Sequence, residues 1–465
     1  MLQRSVAVTR PRLALVVILA LAAGLRVWKL DDKNLWLDEA ASWSEATHSV
    51  SEVTTSVGQD VHPPVYYLLL KMWIGVAGDS VAGLRSLSVA AGVLALVLAW
   101  HLARRWLATG PALAALLWMA VSPHLVFHAQ EARMYAPATA AALAACLGYR
   151  RWVDSRFTAT GALVGFVASA SVSLYLHYFT ALLIATCTLH FAFIAGRAWA
   201  PWRRWALAHL VVLAIYLPWL TTAITQLTRG QPWRQPVAID AMPDRVLALL
   251  GQLFIGSYLP WPIDGVYRLG GATAIALAVA GVATLAVRQL GRRRTETDGF
   301  LALAALAPAA GGLTLVLAAG DMYLSRYLAY LTPLAIVAAA RGLSLLPGDS
   351  RLLTCAVAAG AMASLPALGV YYSSSSRDTD VRLVAAYINA AAGSGGIEPA
   401  NRVIVAPDYL IYPLSYYSRH AGLLYTGVKP GADLWGTIES TAAATPARPL
   451  WIVLDYRWSN FRRDS

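Results

Sequence analysis

Long apolar runs alternate with short polar stretches along most of this chain, and the runs have the length a bilayer demands of a helix, about 20 residues. They fall near 11–29, 82–102, 109–127, 133–149, 158–175, 178–196, 204–224, 267–288, 300–319, 327–346 and 352–371. About 11 transmembrane helices are therefore expected. The pattern breaks in three places. Residues 30–81, after the first run, are polar and aromatic and read as a long loop. Residues 225–266 carry Pro232, Trp233, Pro236, Pro243, Pro260, Trp261 and Pro262 around LALLGQLFIGSYL, a stretch too short to span and suited to the membrane interface. From residue 372 the transmembrane character is lost. DVRLVAAYINAAA has the spacing of an amphipathic helix, RVIVAP and PLWIVLDY that of short buried strands, and YLIYPLSYYSRH that of a helix or strand. The fold class expected is an all-α polytopic membrane protein over 1–371 with a small C-terminal α/β module over 372–465.

Composition agrees: 58% of residues are hydrophobic and 13% charged, which excludes an ordinary soluble domain. A net charge of +12 raises nucleic acid as a partner, but the placement of the arginines excludes it. Arg104, Arg105, Arg150, Arg151, Arg197, Arg203, Arg204, the run Arg292 to Arg294, Arg341 and Arg351 lie between apolar runs in alternate loops, as the positive-inside rule requires of a cytoplasmic face. The amino terminus, with Arg4, Arg10 and Arg12, joins them there. Residues 30–81, 225–266 and the tail are then extracytoplasmic, and the chain is integral to the cytoplasmic membrane. The run Leu13 to Val27 is similar to a signal sequence but shows no cleavage site, and reads as a retained first helix. Cys146, Cys187 and Cys355 all sit in apolar runs, so neither a disulfide framework nor a cysteine metal site is encoded. No internal repeat is visible.

Acidic residues occupy only 25 positions of 465, yet Trp36 to Tyr67 holds Asp38, Glu39, Glu45, Glu52 and Asp60 together with His48 and His62. Asp38 is placed to cap a short helix over AASWSEA, with Glu39 favouring its first turn. Serine or threonine would cap without a charge, and an acidic pair at a membrane face is expensive, so a functional role is expected as well. His62 precedes Pro63 and Pro64, which hold it extended before Tyr66 and Tyr67. With Asp60 it forms a candidate site for a divalent metal ion or a phosphate. In HAQEARMYAP, Glu131 and Tyr135 are four apart and share a face if helical, while Arg133 projects elsewhere. An acid, a base and an aromatic at the mouth of a bundle suit a charged sugar phosphate; the plainer use is an interfacial helix start. Arg326, with Tyr323 and Tyr327, either anchors its span or offers a fork of donors to a phosphate. His177 and Tyr178, in another outer turn, are a weaker signal.

WLDEA at 36–40, HPPVYYLLL at 62–70, EARMYA at 131–136 and SRYLAYLTP at 325–333 together resemble the GT-C integral membrane glycosyltransferases, near the protein O-mannosyltransferase and aminoarabinose transferase branch. The resemblance implies a first outer loop of interfacial helices over a cavity open to the membrane, and a polyprenyl-phosphate sugar as donor. It implies two catalytic acids, Asp38 acting on the acceptor hydroxyl and Glu131 as a second position. Arg133 and Arg326 would serve the donor phosphate, with Glu39, His62, Tyr67, Tyr135 and Tyr327 completing the substrate-binding set. Displacement in one step would invert the anomeric centre. The acceptor would be a glycan, lipid or protein hydroxyl, and the tail after Tyr372, which departs from the sugar-binding modules of the eukaryotic mannosyltransferases, does not choose among them. The rival reading is a transporter or flippase of lipid-linked sugars, which predicts charges near mid-membrane and broken helices in paired halves. Here the charges gather at the outer face.

Overall fold

The computed structural model describes residues 2–229, 234–256, 266–291, 295–322, 324–374, 380–393, 402–418, 423–429, 432–444 and 450–455. In chain order the helices are α1 (Leu2–Val27), α2 (Leu37–Thr47), α3 (Val50–Gln59), α4 (Val65–Ala77), α5 (Val81–Ala103), α6 (Thr109–Val121), α7 (Pro123–Ala129), α8 (Tyr135–Asp154), α9 (Thr160–Leu176) and α10 (Ala181–Ile194). They continue with α11 (Trp199–Thr228), α12 (Met242–Ile255), α13 (Val266–Leu290), α14 (Glu296–Ala319), α15 (Leu324–Tyr327), α16 (Leu331–Leu343), α17 (Ser350–Ser373), α18 (Arg382–Gly393), α19 (Ile411–Ser418) and α20 (Leu434–Ala444). Every apolar run expected to span falls on one or more of them. Among the described residues five helices, α5, α11, α13 from Gly270, α14 and α17, are long and apolar enough to cross a membrane. The number is six if α6 and α7, bent by 56° to each other, count as one span. α9, α10 and α16 are apolar but shorter. α12 has 14 residues, short of a span, while Pro232, Trp233, Pro260, Trp261 and Pro262 lie outside the described residues.

The chain divides into two compact units, one of Met1–Leu30 and Ser49–Ser373, the other of Asp31–His48 and Ser374–Ser465. The loop read from sequence as one stretch, 30–81, is thus shared between them.

In the first unit the ends of helices are closed by side chains from other helices, because terminal carbonyls have no partner within their own helix. Arg26, at the end of α1 and fully buried, donates to the carbonyl oxygens of Ala120 at 3.1 Å and Met119 at 3.4 Å, the last turn of α6. Gln130, just past α7, returns the favour to α1. Its amide donates to the carbonyls of Arg26 at 3.0 Å and Trp28 at 2.7 Å, and its own oxygen accepts from the Tyr371 hydroxyl at 2.7 Å. Two close crossings require glycine. A Cβ on Gly148 of α8 would lie 2.7 Å from the backbone nitrogen of Phe166 in α9, and one on Gly342 of α16 would strike the Gly281 carbonyl of α13. α8 is 20 residues long, roughly 30 Å, so its two ends serve different surfaces. At its far end Arg150 pairs with Asp154 at 2.8 Å and with Glu296, and Arg341 pairs with Asp298 at 2.8 Å. Arginines that sequence reads only as loop charge therefore bind α8, α14 and α16 together.

The second unit holds a three-stranded parallel sheet of β1 (Arg402–Ala406), β2 (Leu424–Gly427) and β3 (Trp451–Leu454) in the order β2-β1-β3. Val403 pairs with Tyr425 on one side and Trp451 on the other. Val403 to Ala406 are all fully buried, as expected of a central parallel strand covered on both faces. Val403 and Val405 pack with Val381, Ala385, Ile388, Leu410 and Leu414, while Ile404 and Ala406 pack with Val428 and Leu434. α2 joins this unit through α19: Trp43 meets Tyr416 edge-on at 5.2 Å, and the Leu35 N–H donates to the Tyr417 hydroxyl at 2.5 Å.

A candidate active site

The corner between α7 and α8 is not helical, so the expectation that Glu131 and Tyr135 share a helical face fails. Tyr135 opens α8 and Glu131 precedes it, in a turn where the Arg133 N–H donates to the Glu131 carbonyl at 2.8 Å. Gln130 holds one side of this turn against α1, and Ser88 of α5 donates to the Arg133 carbonyl at 3.2 Å on the other. Glu131 instead meets His128, in the last turn of α7, with Nδ1 and Oε2 2.9 Å apart and both side chains buried. The His128 ring lies edge-on to Tyr135 at 5.0 Å and to His124 at 4.5 Å.

A second group of rings adjoins the first through Tyr135, which is 5.8 Å from His177. His177 ends α9, and its ring centre is 4.9 Å from Tyr327 and 5.8 Å from His62. His62 is fixed from α11, where Gln226 donates to the carbonyls of Val57 at 2.7 Å and His62 at 3.5 Å. Burial drives the His62 imidazole well below its ordinary pKa, and the charges of Arg133, Arg326 and Arg234 push in the same direction. His177 is lowered to about 3 by burial and then by Arg133. Three guanidinium groups from separate stretches of the first unit thus bear on the His62 imidazole, and one of them, Arg133, on His177 as well. Arg133 is buried and Arg326 half-buried. Such a setting attracts an anion and repels a cation.

This bears on the metal candidates. Asp60 ends α3, is exposed, and its charge acts on the Tyr178 phenol. Among the described residues no three His, Cys, Asp or Glu are grouped to hold a metal ion, and the arginines around His62 oppose one. The residues present do not fit a metal site at His62.

Asp38 and Glu39 belong to the second unit. The cap of α2 is Trp36 and not Asp38, with φ −89° and ψ 175°. Glu39, third in the helix and fully buried, accepts from the Trp36 N–H at 3.5 Å. Its carboxylate reaches back to the helix start, which frees Asp38 of that task. Asp38 is the second helical residue and half-buried, and its carbonyl accepts from the Ser42 hydroxyl at 2.9 Å.

Of the residues expected from sequence, Glu131, Arg133 and Tyr135 share the α7–α8 corner, His62 and Tyr327 meet at His177, and the charge of Arg326 acts on His62. Tyr67 is buried on α4 beside Tyr66, ring centres 5.8 Å apart. Tyr323 lies outside the described residues. Sequence reasoning took His177 as a weaker signal and did not single out His128 or Arg234, whose contacts and charges the structure brings to the expected residues. A signal for His128 was present, since it stands three residues before Glu131, a spacing that brings side chains together in and near helices.

Residues 61–221 match the family model described as dolichyl-phosphate-mannose-protein mannosyltransferase. That stretch contains HPPVYYLLL, EARMYA and His177, and begins beyond Asp38. No curated protein sequence matches the chain significantly. Among solved structures, ArnT from Cupriavidus metallidurans in the apo state is 16% identical with a TM-score of 0.56, over 95% of this chain and 89% of that one. The same protein bound to undecaprenyl phosphate is 15% identical with a TM-score of 0.55, over 94% and 89%. The oligosaccharyltransferase AglB from Archaeoglobus fulgidus, in complex with an inhibitory peptide and a dolichol-phosphate, is 14% identical with a TM-score of 0.55, over 88% of this chain and 64% of that one. At such identities the likeness is one of fold.

Proposed function

From a chain that resembles the GT-C membrane glycosyltransferases in fold and carries a mannosyltransferase-family segment, we propose a glycosyltransferase that moves a sugar from a polyprenyl-phosphate donor to an acceptor hydroxyl on the extracytoplasmic side. The observation that carries this reading is the convergence of Arg133, Arg234 and Arg326 on His62. Arg133 is buried and Arg234 and Arg326 are half-buried, a cationic setting that favours an anion, and a lipid-linked phosphate is an anion that arrives from the bilayer. Undecaprenyl phosphate and dolichol-phosphate are held by two of the structures of like fold.

In the proposed reaction Asp38 accepts the proton of the acceptor hydroxyl as that oxygen attacks the anomeric carbon. The bond from that carbon to the phosphate oxygen breaks, and its electron pair leaves with the phosphate. Arg133 and Arg326 stabilise the charge that grows there, more in the transition state than in the ground state. Glu131, held by His128, is the second acidic group. One displacement inverts the anomeric configuration. The acceptor is a glycan, lipid or protein hydroxyl.

The test uses the purified full chain in lipid with labelled polyprenyl-phosphate sugars and a panel of acceptors, reading release of polyprenyl phosphate. Release that requires an acceptor is expected. Movement of intact lipid-linked sugar across the bilayer, with no release, would replace this reading by that of a flippase.

A further inference from the structure

The imidazole of His177 has a fixed tautomer. Its Nδ1 accepts from the Phe179 backbone N–H at 3.3 Å, so in the neutral ring the hydrogen resides on Nε2. That Nε2 is buried and has no hydrogen-bond partner among the described residues. A buried donor left unmade is unfavourable, and native structures seldom keep one without a use. The rings packed around the imidazole are those of Tyr135 from α8, Tyr327 from α15, His62 from the stretch between α3 and α4, and Phe179 from its own turn. The charge of Arg133 acts on the ring. A cationic surrounding keeps the ring neutral and still a donor. It also makes the partner that would complete this donor an anion.

Resting on the donor reading above, we propose that His177 binds the phosphate of the lipid-linked donor, giving its Nε2–H to a non-bridging phosphate oxygen beside Arg133. A neutral donor suits this position. The donor's phosphodiester carries one negative charge and the departing monoester carries up to about two, so the hydrogen bond strengthens as the sugar leaves. No proton passes through His177 in this scheme.

Two substitutions separate binding from a purely structural role. His177→Asn places its side-chain oxygen where Nδ1 was, preserving the acceptor for Phe179 while deleting the donor at Nε2. His177→Gln extends an amide N–H to the Nε2 position and gives up the local acceptor. With full-length protein in nanodiscs and undecaprenyl phosphate as probe, His177→Asn should raise Kd about tenfold or more, while His177→Gln stays within about threefold of wild type. Undecaprenol, which lacks the phosphate, should not distinguish His177→Asn from wild type. The ratio of His177→Asn to wild-type Kd should not fall as pH rises from about 6 to about 8, because a neutral donor keeps its hydrogen while the monoester of the probe gains charge. Thermal unfolding in the same nanodiscs identifies a variant that is merely misfolded, and His177→Gln then carries the comparison. Equal affinities in wild type and His177→Asn, or a larger loss in His177→Gln, would overturn the assignment while leaving the donor reading intact. Failure of wild type to bind undecaprenyl phosphate would overturn both. Competition by inorganic phosphate as strong as by the lipid would make free phosphate the ligand and overturn the lipid assignment.

Discussion

Asp38 stands second in α2, behind a cap supplied by Trp36 and Glu39, so asparagine there tests chemistry at little structural cost. Asp38→Asn should lower turnover by about 10²-fold or more, change stability by no more than about 1 kcal/mol, and leave donor affinity nearly unchanged. Glu39→Gln must be read beside it, because Glu39 adjoins it and could take its place as base. Near-normal turnover in Asp38→Asn and in the double variant would remove the catalytic assignment. Glu131→Gln should also impair turnover, since it replaces a buried carboxylate paired with His128. The histidines add a pH dependence. His177 is lowered from an ordinary value near 6.5 to about 3, so between those values the unfolded chain binds more protons than the folded one. Its contribution to stability is present above pH 6.5 and is lost as pH falls toward 3. Thermal unfolding should therefore move to lower temperature on acidification, and His177→Asn should flatten that slope. An unchanged slope would contradict the burial of a neutral ring.

At the scale of elements, the site depends on helix ends being closed by neighbours. Gln130 binds the carbonyls at the end of α1 and the hydroxyl of Tyr371 in α17, and the very next residue is Glu131. Gln130→Ala should cost about 1–3 kcal/mol, the penalty for buried polar groups left unmade, and should reduce turnover although Gln130 has no proposed contact with substrate. Loss of stability with full turnover would show that the corner is held by other contacts. The α7–α8 corner also explains a misreading. Spacing alone puts Glu131 and Tyr135 on one face, but that inference assumes a helix, and the break between α7 and α8 at Gln130 to Met134 removes it.

For the whole molecule, the arginine distribution proposes a cytoplasmic amino terminus and an extracytoplasmic tail. The native thiols allow a test, since Cys146 and Cys187 are buried and only Cys355 is exposed. In a Cys355→Ser background, Ser374→Cys should react with an impermeant maleimide from outside intact cells and Ser155→Cys should not. The reverse pattern would strand the proposed site on the wrong face of the membrane. The span count itself is read from all eleven apolar runs, whereas length and apolarity admit five or six helices among the described residues. α9, α10 and α16 are apolar but shorter than a span.

The sequence by itself determined where helices form and which stretches concentrate acids, histidines and arginines, because apolar run length, proline and the rarity of acids are local properties of the chain. It also carried the likeness to the GT-C enzymes, in motifs short enough to read directly. Only the tertiary structure decided that His177 meets His62, Tyr135 and Tyr327, that Arg234 joins Arg133 and Arg326 in acting on His62, and that Asp31–His48 share a compact unit with the chain's last residues. These are meetings of residues far apart in the chain, fixed by how helices cross and by which side chain closes which helix end. Periodicity records which face of an element is buried, but not what it is buried against.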